Sequence, residues 1–557
     1  MEELSWSRYF AGVFFLIWYI VILIAAYSGF IEILLKFRSR KNLTAAGGVP
    51  GPSKDAQELA TLEGVTIIRP IKGIDPELSS CLESSFVQDY PSEKIQILFC
   101  VDNPRDRSIP IIRKLIKRYP TIDAEILISE GYNEESKIST EHYGPNPKVN
   151  NLAKGFIKAK FDILWVMDSN VWASSNILKN SVVTLNSNLN NGRKLGDQRP
   201  VKLVHHVPLA VCTDSISDSS WETIALDHLE NRITPTASDE DSDNSMHSLT
   251  NRKTTPSRSS TPTWESLQHP HKQHKQHKQH NLSKSGKKLG ATLDEMFLHT
   301  SHSKFYISLN NLAVAPCVNG KSNIYRKSDL DQSVKLMPFK DSHFFRDPKV
   351  KRDALDYTSQ SIPGNAIKFF SRYIGEDNMI GIALWENCNG RTGLTGDVVV
   401  QPLSPENNTV QDYVKRRVRW LRVRKYMVLM ATLIEPTTES IVCGIYGTFA
   451  VSTVFFSQWF SIKWFLMHMT IWLLTDYIQY NVLIMLAKDK SNITYLPQWM
   501  NSVCVIDSVH KFWQWFKVWC IRELLALPIW IIAMWGHEID WRGAPFKIKN
   551  DLTAEEL

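Results

Sequence analysis

The stretch Phe161-Asp-Ile-Leu-Trp-Val-Met-Asp168-Ser169-Asn170 joins a short apolar run to an acidic, polar end. Similar β-rich runs occur at Val65–Ile71, Ile95–Val101 and Leu203–Val211, with helix-like stretches such as Ile111–Tyr119 between some of them. Strands that are apolar on both faces and alternate with helices are typical of a mostly parallel sheet. The sequence therefore predicts an α/β domain, in which ligands bind beyond the carboxyl ends of the strands.

Acidic residues follow two of the predicted strands. Asp168 comes directly after one of them, where a carboxylate can bind Mg²⁺ or Mn²⁺ shared with a diphosphate. Taken alone, Asp168 is more typical of a residue that caps the following helix. The strand Ile95–Val101 is followed by Asp102 and Asp106. Either carboxylate is suited to a uracil or ribose, and both are equally ordinary turn residues.

Two further motifs lie closer to the C-terminus. The acidic pair Glu376-Asp377 begins a helix-like stretch, where the helix dipole favours negative charge, and Asp377 is a candidate general base. Seven basic residues fall within Lys415–Lys425. Arg416 and Arg419 share a helix face and match phosphate oxygens, and Trp420 beside them can pack against a ligand. A helix that binds anionic lipid also explains this basic density, and both interpretations stay open.

The composition excludes several classes of protein. The chain has 557 residues, a net charge of +7 and eight cysteines without a CxxC pair, so neither a zinc site nor a disulfide framework is predicted. A nucleic-acid-binding protein would show a basic face and a recognisable module, and neither is found. The 18 tryptophans, many of them in apolar runs near the two ends, favour a membrane protein.

Apolar runs at both ends indicate membrane segments. Tyr9–Ile31 carries no charge, and its length exceeds the ~20 residues that a bilayer core requires. The basic residues after it place the chain from residue 40 onward in the cytosol. Ser440–Phe460 and Trp464–Ala487 are predicted to form a hairpin of two spans, with Asp476 either functional or near a helix end. In Phe512–Trp535 only the last part is uncharged, which predicts an interfacial helix leading to a short or re-entrant segment.

These observations divide the chain into six parts. The composition of residues 215–288, which include the tract HKQHKQHKQH at His271–His280, predicts a disordered insertion rather than a metal site. The parts are an N-terminal transmembrane anchor (1–40), a first half of the α/β region (41–214), the insertion (215–288), a second half that contains the basic run (289–439), C-terminal membrane segments (440–536) and a tail (537–557).

The order of the motifs resembles that of membrane glycosyltransferases with a GT-A fold, whose signature is three aspartates followed by (Q/R)xxRW. The finer resemblance is to glycosyltransferase family 21, the ceramide glucosyltransferases, and in particular to its fungal members. It covers nearly the whole chain outside residues 215–288. The stretches that carry it are Arg69-Pro-Ile-Lys-Gly-Ile-Asp-Pro, Asn146-Pro-Lys-Val-Asn-Asn-Leu, Met167-Asp-Ser, His299-Thr-Ser-His, Cys317-Val-Asn-Gly-Lys-Ser, Gly375-Glu-Asp, the RxxRW run and Thr553-Ala-Glu-Glu.

The resemblance implies that residues 41–214 form a nucleotide-sugar-binding half of a GT-A domain and residues 289–439 an acceptor-binding and catalytic half. It also implies roles for individual residues. Asp377 is the expected catalytic base, and Asp168 the expected ligand of a divalent metal, Mn²⁺ or Mg²⁺. Asn170 stands where a strict DxD motif has its second carboxylate. The residues expected to bind substrates are Asp106 (with Asp102 as its competitor), Lys72, Lys148, His302, Cys317, Arg416, Arg419 and Trp420.

The activity implied by the resemblance is transfer of glucose from UDP-glucose to the primary hydroxyl of ceramide with inversion. The expected location is the Golgi or ER membrane, with the catalytic domain facing the cytosol and the bilayer supplying the lipid acceptor. A polyprenyl phosphate acceptor and a non-catalytic membrane scaffold are the alternatives. A processive polysaccharide synthase is disfavoured, because its pore requires more spans than the chain offers.

Overall fold

The computed structural model describes residues 6–37, 62–133, 139–187, 189–190, 193–194, 199–213, 289–359, 362–404, 408–489, 496–503, 505–536, 538–541, 544–549 and 552–557. The insertion predicted over residues 215–288, with its histidine-rich tract, lies outside the described residues.

An eight-stranded sheet forms the centre of the soluble domain. Its strand order is β3-β2-β1-β4-β9-β8-β10-β5, and four of its seven strand pairs are parallel. The predicted α/β architecture with a mostly parallel sheet is confirmed. The strands are β1 Val65–Ile71, β2 Ile95–Val101, β3 Asp123–Ile128, β4 Ile163–Met167, β5 Trp172–Ala173, β6 Leu189–Asn190, β7 Arg193–Lys194, β8 Val201–Cys212, β9 Ser322–Arg326, β10 Arg391–Leu403, β11 Glu538–Trp541, β12 Ala544–Ile548 and β13 Ala554–Glu556.

Helices cover both faces of this sheet, which is why the central strands are apolar on both sides. A π-helical turn at Leu298–His302 precedes α6, and 3₁₀ turns occur at Asn365–Arg372 and Glu435–Thr438. The α-helices are α1 Trp6–Lys36, α2 Leu78–Glu83, α3 Ile109–Arg118, α4 Pro147–Lys158, α5 Ile177–Ser187, α6 Ser303–Asn311, α7 Lys327–Leu336, α8 Pro348–Ser359, α9 Glu376–Glu386, α10 Val410–Met427, α11 Leu429–Ile434, α12 Ser440–Phe456, α13 Ile462–Ala487, α14 Gln498–Ser502 and α15 Val509–Trp535.

The antiparallel pairing of β4 with β9 determines which side chains lie beside Asp168 at the end of β4. Met167 pairs with Ser322 in the register of these strands, and the next step of the ladder is a hydrogen bond of 3.1 Å from Asp168 N to Lys321 O. Directly opposed residues on neighbouring strands project to the same face of a sheet. The strand register therefore places the side chain of Lys321 beside that of Asp168.

Helices α1, α12 and α13 pack together as a bundle. Tyr19 of α1 contacts α13 through its hydroxyl, which lies 2.9 Å from His468 Nδ1. The guanidinium of Arg8 lies 4.4 Å from the ring centroid of Trp459. The beginning of α1 therefore lies beside the loop that joins α12 to α13.

The opposite end of this bundle contacts the soluble domain. Ser28 Oγ of α1 lies 2.9 Å from Ser308 Oγ of α6. A Cβ built on Gly29 would lie only 2.0 Å from Lys304 O, so the close approach of α1 and α6 requires glycine at that position. The soluble domain is thereby fixed to one end of the helical bundle.

Two helices, α1 and α15, are long and apolar enough to cross a membrane. The bent pair of α11 with the turn Glu435–Thr438 and α12, which meet at 77°, qualifies as one further span. α13 has 26 residues but is not among the candidate spans, because polar side chains lower its hydropathy. The predicted apolar helices at the N-terminal and C-terminal ends are confirmed, whereas the second span of the predicted hairpin, Trp464–Ala487, does not qualify by length and composition.

The last helix differs from its prediction in being continuous, and its interfacial location stays a prediction. The sequence predicted an interfacial helix followed by a short or re-entrant segment, because charged residues interrupt Phe512–Trp535. The structure has one continuous helix of 27 residues, α15. The charges do not interrupt it: Arg522 and Glu523 are almost fully buried and pair with each other, and Lys517 is exposed on the helix surface.

Candidate active site

Asp168 lies at the carboxyl end of β4 between two lysines. Lys148 Nζ is 3.0 Å from Asp168 Oδ1, and Lys321 Nζ is 3.0 Å from Asp168 Oδ2. Burial raises the pKa of Asp168, but the two ammonium groups outweigh burial and hold the pKa well below its usual range. Asp168 is therefore a carboxylate at every physiological pH.

Lys148 joins Asp168 to the acidic pair on α9. Its Nζ lies 3.0 Å from Glu376 Oε1, and Asn146 Nδ2 donates to Glu376 Oε2 at 2.9 Å. Asn146 also caps α4, because its Oδ1 accepts from the backbone N–H groups of Lys148 and Val149 at 2.9 and 3.1 Å. The beginning of α4 therefore sets the position of Lys148 in the site.

Asp377 occupies the first turn of α9 and is half-buried. Burial, and then the negative charge of Glu376, raise the pKa of Asp377 to about 7, although Lys148 opposes this shift. Gly320 lies between Asp377 and Lys148, since a Cβ built there would be 3.1 Å from both Asp377 Oδ2 and Lys148 Nζ. A carboxylate with a pKa near neutrality, in a cleft at strand ends, suits general base catalysis.

The structure places the two candidates for the first aspartate differently. Asp106 Oδ2 accepts from Gly73 N at 2.8 Å, and its Oδ1 accepts from Ser108 N and Oγ at 2.9 and 2.7 Å. Asp102 accepts from Ser129 Oγ at 3.0 Å. Asp106 thus holds the loop after β2 against the loop after β1, and its role as a substrate ligand stays a prediction.

The loop after β1 brings two more residues to this edge of the sheet. Lys72 directly follows β1 and is exposed. Asp75 was not assigned from the sequence, yet its Oδ2 accepts from Ser169 Oγ at 2.6 Å. The family-like stretch around Lys72 therefore reaches the residue next to Asp168.

His302 and Cys317 lie near the helical bundle. The turn that contains His302 is bound by Gln479 of α13, and Cys317 packs against an apolar cluster that includes Cys443 and Trp472. The ring of His302 stacks on Tyr306 at 5.1 Å. Burial, and then the charges of Arg417 and Arg424, lower the pKa of His302 to about 3, so the imidazole is neutral at physiological pH. Burial raises the pKa of the Cys317 thiol, and the charge of Asp377 adds to this shift. Both side chains are half-buried.

The RxxRW run lies on α10, as predicted, but its two arginines contact different parts of the protein. Arg416 pairs with the buried Asp294, and its Nη2 donates to Asn408 Oδ1 at 2.6 Å. Arg419 Nη1 lies 3.4 Å from Asp540 O on β11. Neither contact is to Asp168 or Asp377, and diphosphate binding by Arg416 and Arg419 stays a prediction.

The opposite face of α10 points towards His302 and Cys317. Arg424 Nη1 lies 2.7 Å from Glu435 Oε2, and Arg417 Nη2 lies 3.5 Å from Glu435 Oε1. The guanidinium of Arg417 also lies 3.5 Å from the ring centroid of Phe297 and 5.8 Å from that of Trp420. The sequence showed the density of basic residues on this helix, but it did not show which of them face the cleft.

The residues around Asp168 can hold part of a metal site. Lys321 Nζ lies 3.0 Å from Asp168 Oδ2 and 3.3 Å from Asn170 Oδ1, so these two oxygens already converge on one positive charge. In the part of the chain that the structure describes, no group of three or more His, Cys, Asp or Glu side chains suits a metal ion. The two oxygens fit a divalent ion that takes its other ligands from a bound diphosphate.

Comparison with protein-family models shows to which family the chain belongs. The model of glycosyl transferase family 21 matches residues 17–237 and 364–554, which together exceed half of the sequence.

The chain belongs to glycosyl transferase family 21.

This membership confirms the family that the sequence motifs resemble. The match includes Asp168, Asp377 and the RxxRW run, and it omits residues 238–363, which contain most of the predicted insertion.

Curated relatives agree with the family model over the full length. The chain is 65% identical to a ceramide glucosyltransferase of Candida albicans, with 100% of this chain and 99% of that protein covered. It is 43% identical to a ceramide glucosyltransferase of Komagataella phaffii, with coverages of 97% and 91%. A third, from Gibberella zeae, is 32% identical, with coverages of 99% and 94%.

Solved structures are more distant. A mannosyltransferase from Pyrobaculum calidifontis, in complex with GDP-Man and Mn²⁺, matches with a TM-score of 0.33 and 12% identity over 93% of this chain and 96% of that one. S. aureus TarS in complex with UDP-GlcNAc matches with a TM-score of 0.28 and 10% identity over 89% and 96%. Likeness at this level supports no argument about the site.

Proposed function

We propose that this protein is a ceramide glucosyltransferase that transfers glucose from UDP-glucose to the primary hydroxyl of ceramide with inversion, giving β-glucosylceramide. The observation that carries the proposal is the position of Asp377, which lines a cavity with Lys148, beside the Lys148–Asp168 pair. The 65% identity to a ceramide glucosyltransferase over the whole chain supports it.

Asp377 acts as the general base. Its pKa of about 7 matches a carboxylate that must accept a proton from a hydroxyl near neutral pH. As the proton moves to Asp377, the acceptor oxygen attacks the anomeric carbon from the face opposite the diphosphate. The new glycosidic bond forms as the bond between the anomeric carbon and the diphosphate oxygen breaks. The electron pair of the broken bond stays on that oxygen and leaves with UDP.

Positive side chains bind the departing diphosphate. Lys148 and Lys321 flank Asp168 at 3.0 Å each and are proposed to contact the diphosphate. Arg416 and Arg419 are proposed to contact the diphosphate once the donor is bound. Fixed positive charges of this kind stabilise the negative charge that develops in the transition state.

A divalent ion, Mn²⁺ or Mg²⁺, would be held by Asp168 and Asn170 together with the donor's phosphate oxygens. When bound, it would offset negative charge on the diphosphate. The carboxylate of Asp168 is ionised for this role, because its pKa lies well below the physiological range. Asp106 and Lys72 are proposed to contact the nucleotide from the loops after β2 and β1.

The acceptor side of the cleft faces the membrane helices. His302, Cys317 and Trp420 are proposed to line the path of the ceramide head group. We propose that the enzyme resides in the Golgi or ER membrane with its catalytic domain in the cytosol. An acceptor that stays in the bilayer avoids an extraction cost of ~0.8 kcal/mol for each CH₂ group.

The experiment compares acceptors. Membranes that carry the protein are incubated with labelled UDP-glucose and either short-chain ceramide or a polyprenyl phosphate, and with UDP-galactose in place of UDP-glucose as a donor control. A glycolipid formed only with ceramide and UDP-glucose is expected. A product formed only with the polyprenyl phosphate would overturn the acceptor, and hydrolysis of the donor without any glycolipid would overturn the transfer reaction.

A further inference from the structure

Helix α15 is long and apolar enough to span a membrane. We propose that it instead lies flat at the membrane surface, on the leaflet that faces the catalytic domain, and that residues 538–557 return to that same side. The occupant of its exposed face is the lipid bilayer itself.

The chain just before α15 is bound to the catalytic domain. Trp499 Nε1 donates to Ser80 Oγ at 2.9 Å, and Ser80 lies on α2 between the first two strands of the sheet. Ile506 is bound to α13 in two places. Its carbonyl accepts from Tyr477 OH at 2.9 Å, and its N–H donates to Asn481 Oδ1 at 2.8 Å.

The part of α13 that makes these contacts belongs to the soluble side. Gln479 Nε2 donates to His299 O at 2.6 Å and to Thr300 O at 2.8 Å. Tyr480 OH bonds to Glu295, which lies in the helical residues 289–297 of the catalytic domain. The N-terminal end of α15 is therefore level with the catalytic domain.

The chain after α15 is bound to the catalytic domain as well. Strands β11, β12 and β13 form a small antiparallel sheet whose buried residues pack against α10. Ile548 and Leu552 line a small cavity together with Tyr373, Gly375 and Met379. These last three residues flank Asp377 in the sequence, so the C-terminal tail contacts the segment that carries the proposed base.

Along its length, α15 contacts residues at the boundary between the catalytic domain and the membrane helices. Trp519 Nε1 donates to Asp476 Oδ2 at 2.9 Å, and Arg522 Nη2 lies 2.6 Å from Glu439 Oε2, one residue before α12 begins. Near the C-terminal end of α15, Lys425 Nζ of α10 donates to Met534 O at 2.8 Å. α15 therefore follows the junction between the catalytic domain and the membrane bundle over most of its length.

This arrangement is incompatible with a crossing. A helix of 27 residues is about 40 Å long, whereas the hydrocarbon core is about 30 Å thick. If α15 crossed, its two ends would lie on opposite sides of the bilayer. Both ends instead bind a domain that lies at one end of the membrane bundle, so the helix axis must run along the surface.

The exposed face of α15 suits lipid. Trp513, Leu524, Ile531 and Trp535 have 53, 66, 44 and 85% of their surface exposed, and their spacing of 11, 7 and 4 residues puts them on one helix face. Of its charged residues, Arg522 and Glu523 are 1% and 4% exposed and point inward. Lys517 is exposed and lies four residues after Trp513 on the same face, where a lysine side chain reaches the head groups. Interfacial helices bury such a face ~5–10 Å below the head groups, with tryptophan at the boundary.

The proposal fixes which side each terminus occupies. The beginning of α1 lies beside the α12–α13 loop, at the end of the bundle away from the catalytic domain. The N-terminus and the C-terminus then lie on opposite sides of the membrane. If α15 crossed, they would lie on the same side.

The test uses the full chain with one epitope tag at residue 1 and a different one after residue 557. Sealed microsomes are treated with protease, and each tag is detected by blotting, with detergent-opened vesicles as the control in which both tags must be cleaved. Opposite protection of the two tags is expected. Equal protection or equal loss would overturn the proposal.

A second measurement reports depth directly. Nitroxide labels are placed at position 513, 524 or 535 of the full chain in a background without other cysteines, using W513C, L524C and W535C. Collision rates with oxygen and with a water-soluble nickel complex then give the immersion depth of each label. Similar shallow depths are expected. A label at 524 much deeper than those at 513 and 535 would overturn the surface orientation.

Discussion

Two lysine–aspartate pairs in this protein have nearly the same geometry in opposite surroundings. Lys148 Nζ lies 3.0 Å from Asp168 Oδ1, with 17% and 24% of the two side chains exposed. Lys304 Nζ lies 2.7 Å from Asp476 Oδ1, with 2% and 1% exposed. The first pair lies at the carboxyl ends of the sheet strands, and the second joins α6 to α13.

The difference lies in what surrounds each pair. The ammonium of Lys304 also lies 4.5 Å from the ring centroid of Trp472, and the second oxygen of Asp476 accepts from Trp519. Asp168 and Lys148 instead share their charges with the partly exposed Lys321 and Asp377. The enclosed pair is complete within the protein and holds the structure together, whereas the open pair is accessible to a ligand. Asp476 is thus a structural residue at this junction.

The largest effect is expected from D377N in the open cluster. Loss of the proposed base should lower kcat by ~10²–10⁴-fold, while binding of UDP-glucose stays near the wild-type value, because asparagine has nearly the same shape. Turnover of short-chain ceramide and donor binding by calorimetry check this. The exposed Asp356 on α8 provides the matched control, D356N. Undiminished turnover in D377N would exclude the base role.

The enclosed pair should respond in stability rather than in catalysis. K304M leaves Asp476 charged and without its main partner, which should lower the free energy of unfolding by ~3–5 kcal/mol. The double variant K304M/D476L removes both charges and should recover most of that loss. Thermal unfolding in detergent measures both. If the double variant were as unstable as the single one, the packing of the two side chains rather than their charges would matter.

Lys321 offers a test of the charge that occupies the candidate metal position. K321M should release Asp168 Oδ2 and Asn170 Oδ1, so that affinity for Mn²⁺ in the absence of donor rises, as measured by electron paramagnetic resonance. It should also weaken donor binding by ~10-fold or more, since hydrogen bonds to charged groups contribute ~1.5–3 kcal/mol. K321R, which keeps the charge, is the control. Unchanged Mn²⁺ affinity in K321M would show that these oxygens do not bind the metal.

The smallest effect is a shift in pH dependence. A general base must be deprotonated, so kcat/KM should fall as the pH drops below about 7, the pKa of Asp377. E376Q removes a negative neighbour that raises this pKa and should move the acidic limb to lower pH. Burial is the larger cause of the raised pKa, so the limb should not reach the ordinary range of an aspartate. An unmoved limb in E376Q would assign the titration to another group.

Much of the fold could be predicted because its signals are local. Val65–Ile71 and Ile95–Val101 form strands with the predicted bounds, since each is a short apolar run between polar turns. β9 and β10 were not predicted. β9, Ser322–Arg326, contains three polar residues among five, and its burial comes from β4 and β8 on either side, which are distant in sequence.

The candidate site was only partly predictable. Asp168, Asp377 and Lys148 were singled out from motifs, because Asp168 follows a strand end and the other two lie at helix starts. The structure brings these three residues together. Lys321 was quoted within a motif without a role, since only the register of β9 against β4 puts it opposite Asp168. The basic run on α10 does not by itself show which way each arginine points. Asp294 fixes Arg416, and Glu435 fixes Arg417 and Arg424. Both acids lie outside the run, so the run alone did not reveal these pairings.

The sequence by itself determined the class of the domain, the apolar segments and the family, and it singled out Asp168 and Asp377 as the candidate acidic residues of the site. All of these depend on periodicity and on motifs within a few residues. Tertiary structure alone decided which charges are enclosed and which are open, and that both ends of α15 are bound on the side of the catalytic domain. Hydropathy measures how well a helix tolerates lipid, but it carries no information about where the two ends of that helix are bound. Those positions depend on contacts such as Trp499 with Ser80, which are separated by 419 residues.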